Sequence, residues 1–352
     1  MKSPTKYLTL AVATACLAGS AEPASATPES RAAVLFLLIE PGARASGMGE
    51  SYVAIADDAT ASYFNPAALA GQTDRKLNFT HQKWLPGLAD DLSYEFLAYS
   101  QPVEGWGNIG VSGTLLNLGE QTRTGERGEI LGSFSSYDLA LSGAYGAYIS
   151  DNLSAGIGLK FIRSNLADQG AGIERGSGIG NSFAADLGLL WRATSSLSLG
   201  AALRNLGPNI AYIDASQADP LPQHLVLGVA YEIMETEYHD MLLSIDVYKP
   251  LIDDGNFVTN LVTAWADESM SNEFKEMDLH AGGEYRYGLS AIKGQSFLAL
   301  RAGYSFDHDG DLKTPTVGLG LKYNVFQVDV AYITGDDTPM QDSTRYSLNL
   351  SF

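Results

Sequence analysis

From about residue 77 to the last residue, apolar and polar side chains alternate with period two, the spacing that puts every second residue on one face of a strand. Leu153, Ala155, Ile157, Leu159 and Phe161 share one face, against Ser154, Gly156, Gly158 and Lys160. Val317, Leu319, Leu321 and Tyr323 oppose Gly318, Gly320 and Lys322, and Leu92, Tyr94, Phe96 and Ala98 oppose Ser93 and Glu95. About fourteen such segments follow one another, beginning near Leu77, Leu92, Gly107, Tyr137, Leu153, Ser182, Leu197, His224, Asp240, Met277, Phe297, Thr316, Phe326 and Arg345. Many have the roughly 9–11 residues that a tilted membrane strand needs. A soluble sandwich shows the same local alternation, so the connections decide. Those at 84–91, 119–136, 164–181, 206–223, 249–276, 306–315 and 333–344 are mostly long, and those between them mostly short. Alternating short turns and long loops belong to an outer-membrane barrel. The expected fold is therefore all-β: a transmembrane antiparallel β-barrel spanning 76–352, with both termini on the periplasmic side because the strand number is even.

The last segment, R-Y-S-L-N-L-S-F, carries Tyr346, Leu348, Leu350 and Phe352 on one side and ends on the aromatic residue. Such an ending resembles the signal read by the machinery that assembles outer-membrane barrels, which is thereby an expected partner together with outer-membrane lipid. At the other end, Lys2 and Lys6 precede an apolar stretch from Tyr7 to Ala18, and Ala24-Ser25-Ala26 offers a cleavage site, so residues 1–26 read as a signal peptide. Cys16, the one cysteine, falls within it. The remaining chain has 20 basic and 40 acidic residues, a balance that excludes nucleic acid as a partner.

Candidate chemistry changes this picture little. Five histidines lie far apart, and no metalloprotease, nucleophile-elbow or phosphate-loop motif is present. No catalytic, cofactor-binding or metal-binding residue is assigned, and the chain is not expected to be an enzyme. Asp307-His308-Asp309-Gly310-Asp311 lacks the distal glutamate of a calcium loop and reads as a solvated turn. Trp84 and Trp106 fall near strand ends, where an interfacial aromatic girdle sits. Residues 260–265, within the longest connection, read either as helix or as an additional strand pair.

Between the two regions, residues 27–75 break the alternation. They contain P-G-A-R-A-S-G-M-G (Pro41 to Gly49), V-A-I-A-D-D-A (Val53 to Ala59) and N-P-A-A-L-A (Asn65 to Ala70). Asn before Pro favours a turn, and Pro66 suits a first helical position. The combination resembles the N-terminal region of the PorV/PorQ family, outer-membrane barrels of type IX secretion related to FadL-like transporters. The matching positions include Pro41, Arg44, Gly47, Met48, Gly49, Asp57, Asp58, Asn65 and Pro66. The resemblance implies that 27–75 form a hatch within the barrel. It also implies a protein that binds the C-terminal sorting domain of secreted cargo and passes it from the translocon to the surface attachment complex. The cargo would meet the long loops at 119–136, 164–181, 206–223 and 249–276. FadL-like transport of hydrophobic small molecules is the alternative. For Arg44, Asp57 and Asp58 the residues themselves leave two roles open, holding the segment in place or meeting a ligand.

Overall fold

A strand in lipid must have every backbone N–H and C=O paired with a neighbour, so a sheet stays in a membrane only when it closes on itself. The computed structural model, which describes residues 31–352 apart from 126, 168–176, 253–255, 266–272, 291, 309, 311 and 335–342, closes in this way. Its strands are β1 (Lys76–Lys83), β2 (Ser93–Val103), β3 (Gly107–Thr124), β4 (Ile130–Tyr148), β5 (Leu153–Ala167), β6 (Gly178–Arg192), β7 (Leu197–Leu206), β8 (His224–Glu235), β9 (His239–Pro250), β10 (Asp278–Gly288), β11 (Ser296–Asp307), β12 (Leu312–Tyr323), β13 (Phe326–Ile333) and β14 (Ser343–Ser351). Each pairs antiparallel with its sequence neighbours, and β1 pairs with β14 from Lys76↔Ser351 to Gln82↔Arg345. The fourteen-stranded barrel expected from the alternation is what forms.

The alternation sorts side chains between outside and inside. Leu159, Phe183 and Leu319 are outward and more than 60% exposed, as a lipid-facing belt requires. On β14, Tyr346, Leu348 and Phe352 are exposed on the outer side, while Arg345, Ser347 and Asn349 are buried inside. Phe352 exchanges two 3.0 Å backbone hydrogen bonds with Arg75, which joins the last residue to the start of β1.

One strand departs from the expected faces. Tyr94, Phe96 and Ala98 of β2 point inward and are almost fully buried, leaving Glu95 outside, where it meets His81 of β1 at 2.7 Å. The reason is that this part of the lumen has an apolar filling of its own. Residues 31–75 lie inside the barrel, and Phe36, Leu37, Tyr63, Phe64 and Leu69 pack with the β2 residues in one cluster. Trp84 joins this cluster from its edge instead of lying in an outer girdle, whereas Trp106 is 77% exposed.

The two rims differ. One carries Arg75, Phe352 and the short turns. The other carries the longer connections, but two of these are shorter than the sequence implied, because β3, β4, β5 and β6 all run past the rim. The β3–β4 connection is 125–129, and most of the β5–β6 connection lies outside the described residues. The 207–223 connection folds over the lumen, with Ile210 and Leu221 fully buried. In the β9–β10 connection, Asn260–Thr263 is a helical turn, and among the described residues the barrel has fourteen strands. Ala33 donates to the carbonyl of Pro220, 3.0 Å away in the 207–223 connection. The described chain therefore starts inside the lumen, towards the rim opposite Phe352, while the start of β1 and the end of β14 share the Phe352 rim.

Candidate functional site

The luminal segment is built from short turns. Ala43–Ser46 and Ala61–Phe64 are single helical turns, and Pro66–Gly71 is a 3₁₀ helix. Asn65 caps that helix by accepting from the Ala67 N–H at 3.1 Å, and its amide donates to the carbonyls of Val53 and Leu189, both at 3.0 Å. One residue thus ends one turn through its backbone N–H to Ala61, and its side chain begins the next and ties it to β6.

From Gly47 to Leu69 the segment runs round the inner wall, and the wall meets it with glycines. An added Cβ at Gly318 (β12), Gly303 (β11), Gly282 (β10), Gly228 (β8), Gly200 (β7), Gly188 (β6), Gly156 (β5), Gly146 (β4) or Gly110 (β3) would collide with or press on the segment. At Gly200 the clash is with the Val53 carbonyl at 2.6 Å, and at Gly318 with the Cα of Gly47 at 3.0 Å. The remaining strand of this arc, β9, supplies Ser244, whose hydroxyl donates to the Ser51 carbonyl at 3.0 Å. Gly49 adopts φ +62°, and a Cβ there would strike the backbone of Tyr304. The segment thus packs closely on ten consecutive strands, with backbone against backbone at most of these glycines.

Charge adds a second set of ties. Glu284 of β10 accepts from Arg44 through two bonds of 3.0 Å, and from Arg301 and Arg286 at 2.6 Å each. Arg301 continues to Asp329 of β13 at 2.8 Å, and Asn349 of β14 donates to the same carboxylate at 3.0 Å. Arg44 also donates to the Tyr52 hydroxyl at 2.7 Å and pairs with Asp57. Burial pushes the Asp57 carboxyl up, but Arg44 beside it prevails and holds it below the ordinary carboxylate range. Asp58 does not join this network directly; it accepts from Tyr52 at 3.0 Å and from the Thr60 N–H at 2.8 Å, bracing the turn from within. Asp246 of β9 accepts the N–H groups of Tyr52 and Val53 at 2.7 and 2.8 Å. Glu40 pairs with Arg204 of β7 at 3.0 Å, and burial pushes its carboxyl up to about 8 against that attraction.

All the residues singled out from the motifs lie in this segment. Pro41, Arg44, Met48, Asn65 and Pro66 are buried, Gly47 and Gly49 touch the wall, and Asp57 and Asp58 brace the turns. Glu284, Arg301, Asp329, Asp246, Arg204 and the wall glycines were not foreseen. The available signal was a charged residue or a glycine on the polar side of an alternating strand.

Beneath the segment, at the Phe352 rim, a cavity of about 360 Å³ opens between β6 and β10. Ile55, Asp57, Arg192, Glu232, Asp240 and Lys293 are among its walls, and Lys293 pairs with Asp240 at 3.3 Å. It is charged with both signs, unlike a pocket for a hydrocarbon. At the opposite rim, Gly310 donates its N–H to Asp307 at 2.7 Å, as a solvated turn does; Asp309 and Asp311 lie outside the described residues.

A family model described as "Type IX secretion system protein PorV" matches residues 25–256. No curated protein matches the sequence. Among solved structures, a Pseudomonas aeruginosa FadL homologue is 13% identical with a TM-score of 0.52, covering 89% of this chain and 98% of that one. The CymD monoaromatic hydrocarbon channel is 12% identical with a TM-score of 0.53, over 90% and 98%. The Ralstonia pickettii toluene transporter TbuX is 12% identical with a TM-score of 0.50, over 89% and 99%. At these identities the likeness is one of fold, a FadL-like outer-membrane barrel.

Proposed function

We propose, from the premise that this chain belongs to the type IX secretion system PorV family, that it binds the C-terminal sorting domain of secreted cargo and passes the cargo from the translocon to the cell-surface attachment complex. It acts as a non-enzymatic docking protein in the outer membrane, with the Phe352 rim towards the periplasm and the longer connections outside the cell.

One observation carries the choice of a docking role over a conduit: the lumen is filled. A segment packed on wall glycines and tied through Arg44, Glu284, Arg301 and Asp329 leaves the outer rim and the protruding strands as the surfaces a large partner can reach. The expected cargo surfaces shrink accordingly. The 207–223 connection commits Ile210 and Leu221 to covering the lumen and exposes Ile213, while the β9–β10 connection exposes Val258, Val262, Trp265 and Phe274.

The test is deletion of the gene in its host. Cargo bearing uncleaved C-terminal domains should accumulate in the periplasm, and normal surface delivery would overturn the proposal. Recovery of the tagged protein alone from gently solubilised outer membrane, with an apolar molecule in its lumen, would favour transport of hydrophobic compounds instead.

A further inference from the structure

The seam between the first and last strands is bonded on its inner face as well as along its backbone. Three successive inward pairs of β1 and β14 meet side chain to side chain. Asn78 donates to Asn349 at 2.7 Å, the Thr80 and Ser347 hydroxyls lie 2.8 Å apart, and Arg345 donates to Gln82 at 2.7 Å. All six residues are buried. A buried polar group left unpaired is costly, so each needs its partner in place.

The same β14 side chains also hold the luminal segment. Ala43 donates its N–H to the Ser347 hydroxyl at 2.8 Å. The Arg345 guanidinium donates to the Glu40 carbonyl and the Ser46 hydroxyl, and it lies 3.7 Å from the Glu50 carboxylate. On one side of these contacts the Tyr94 hydroxyl of β2 donates to the Ile39 carbonyl at 3.0 Å, and on the other Gly49 donates its N–H to Thr316 of β12 at 3.1 Å. Residues 39–49 thus lie across the seam on the inside, from β2 to β12.

Chain order gives this crossing a consequence. Arg345 and Gln82 are 263 positions apart, and bringing such distant strands together costs loop-closure entropy. The segment immediately precedes β1, so it is tethered to the edge that β14 must find. Seated in the lumen, it offers fixed partners beside that edge: the Ala43 N–H for Ser347, and the Glu40 carbonyl and Ser46 hydroxyl for Arg345. A slip of one residue turns Arg345 and Ser347 to the lipid side and loses all of them. We propose that the luminal segment is the template on which the barrel closes. β14 docks at once on the edge of β1 and on residues 40–50, and the seated segment sets the rate and the register of the seam. This is an assembly role, separate from the docking role proposed above and independent of it.

The test follows the full chain, with Cys16→Ser, as it refolds from urea into lipid vesicles. Leu77→Cys with Leu350→Cys reports the seam, since these outward residues are register partners and leave every inner bond intact. Ala155→Cys with Leu189→Cys reports the β5–β6 pair as a control. Short pulses of oxidant at successive times capture either pair as a disulfide once its strands have met. Gly303→Val unseats the segment at Gly49 and changes no seam residue, whereas Arg345→Met removes the ties from the strand side. Each should slow capture at the seam about tenfold, and the two together no more than either alone. Gln82→Ala, which cuts only the bond across the seam, should slow it less than about twofold. Ser46→Ala leaves wall and strands intact and takes one bond from Arg345, so it should slow the seam about threefold. The control pair should keep its rate throughout. An unaltered seam rate in Gly303→Val or in Ser46→Ala would overturn the proposal. So would equal slowing of both pairs, which would mean that the segment serves the whole wall and not its closure.

Discussion

At the scale of single residues, Arg44 carries more of the luminal segment's side-chain ties than any one neighbour does alone. Arg44 serves Glu284, Tyr52 and Asp57 at once, and its guanidinium matches the Glu284 carboxylate through two parallel bonds. Arg44→Ala removes both bonds to Glu284 and the partner of Asp57, and breaking such a buried pair costs about 3–5 kcal/mol. The barrel itself should persist, because Glu284 keeps Arg286 and Arg301. The loss should therefore appear as loosening of the segment: faster proteolysis or cysteine labelling within residues 43–60, with heat-modifiable migration of the barrel unchanged. An unaltered labelling rate would show that the wall glycines and the remaining bonds, such as those to Asp246, suffice without Arg44. Gly303 tests the other set of ties, since a side chain there meets the backbone of Met48 and Gly49, which cannot give way as a flexible side chain would.

At the scale of elements, the strands were legible because a membrane wall enforces period two so strictly. Gly107, Leu153, Leu197, His224 and Phe326 begin strands where the alternation placed them. What the alternation could not convey is what stands on the inner side. Gly156, Gly318 and Gly320 read simply as the polar side of their strands, and only the fold shows that Gly156 and Gly318 meet the luminal segment while Gly320 lies against Asp329 and Arg301. On β2 the apolar face turns inward instead: Tyr94 and Phe96 serve the inner cluster, and Glu95 stands outside with His81. Alternation fixes which residues share a face, not which face is dry. The charged partners of Arg44 were hidden for a related reason: Glu284 is 240 residues away, and only barrel closure brings the two together. β14 supports a prediction of its own. Its outer residues Tyr346 and Leu348 oppose His81 and Phe79 of β1, and Phe352 completes the seam through Arg75. Deleting Phe352 removes two hydrogen bonds at the closing edge and the terminal aromatic group, so assembled barrel in the outer membrane should fall several-fold. Tyr346→Ala should cost less, because it leaves the seam's backbone bonds in place. Equal barrel yield from the Phe352 deletion and the full chain would show that neither closure nor assembly needs this residue.

At the scale of the whole molecule, fold likeness and luminal packing point in different directions, and the difference is measurable. A fourteen-stranded barrel is wide enough to leave a passage unless something fills it. Here the filling reaches from the charged cavity near Phe352 to the Ile210–Leu221 cover at the opposite rim, and the wall is shaped to it on ten strands. A segment that withdrew during each transport cycle would have to break both Arg44–Glu284 bonds, lose both Asp246 bonds, and expose Phe36, Tyr63 and Phe64. The intact protein in a planar bilayer should therefore show no ion conductance above background. A chain lacking residues 31–70 should either conduct as an open pore or fail to assemble, and the second outcome would mean that the wall glycines need the segment in order to form the wall at all. Steady conductance by the intact protein would sink the idea of a permanently filled lumen. It would also remove the observation that now favours docking over transport, leaving the family assignment as the only support for a role in secretion.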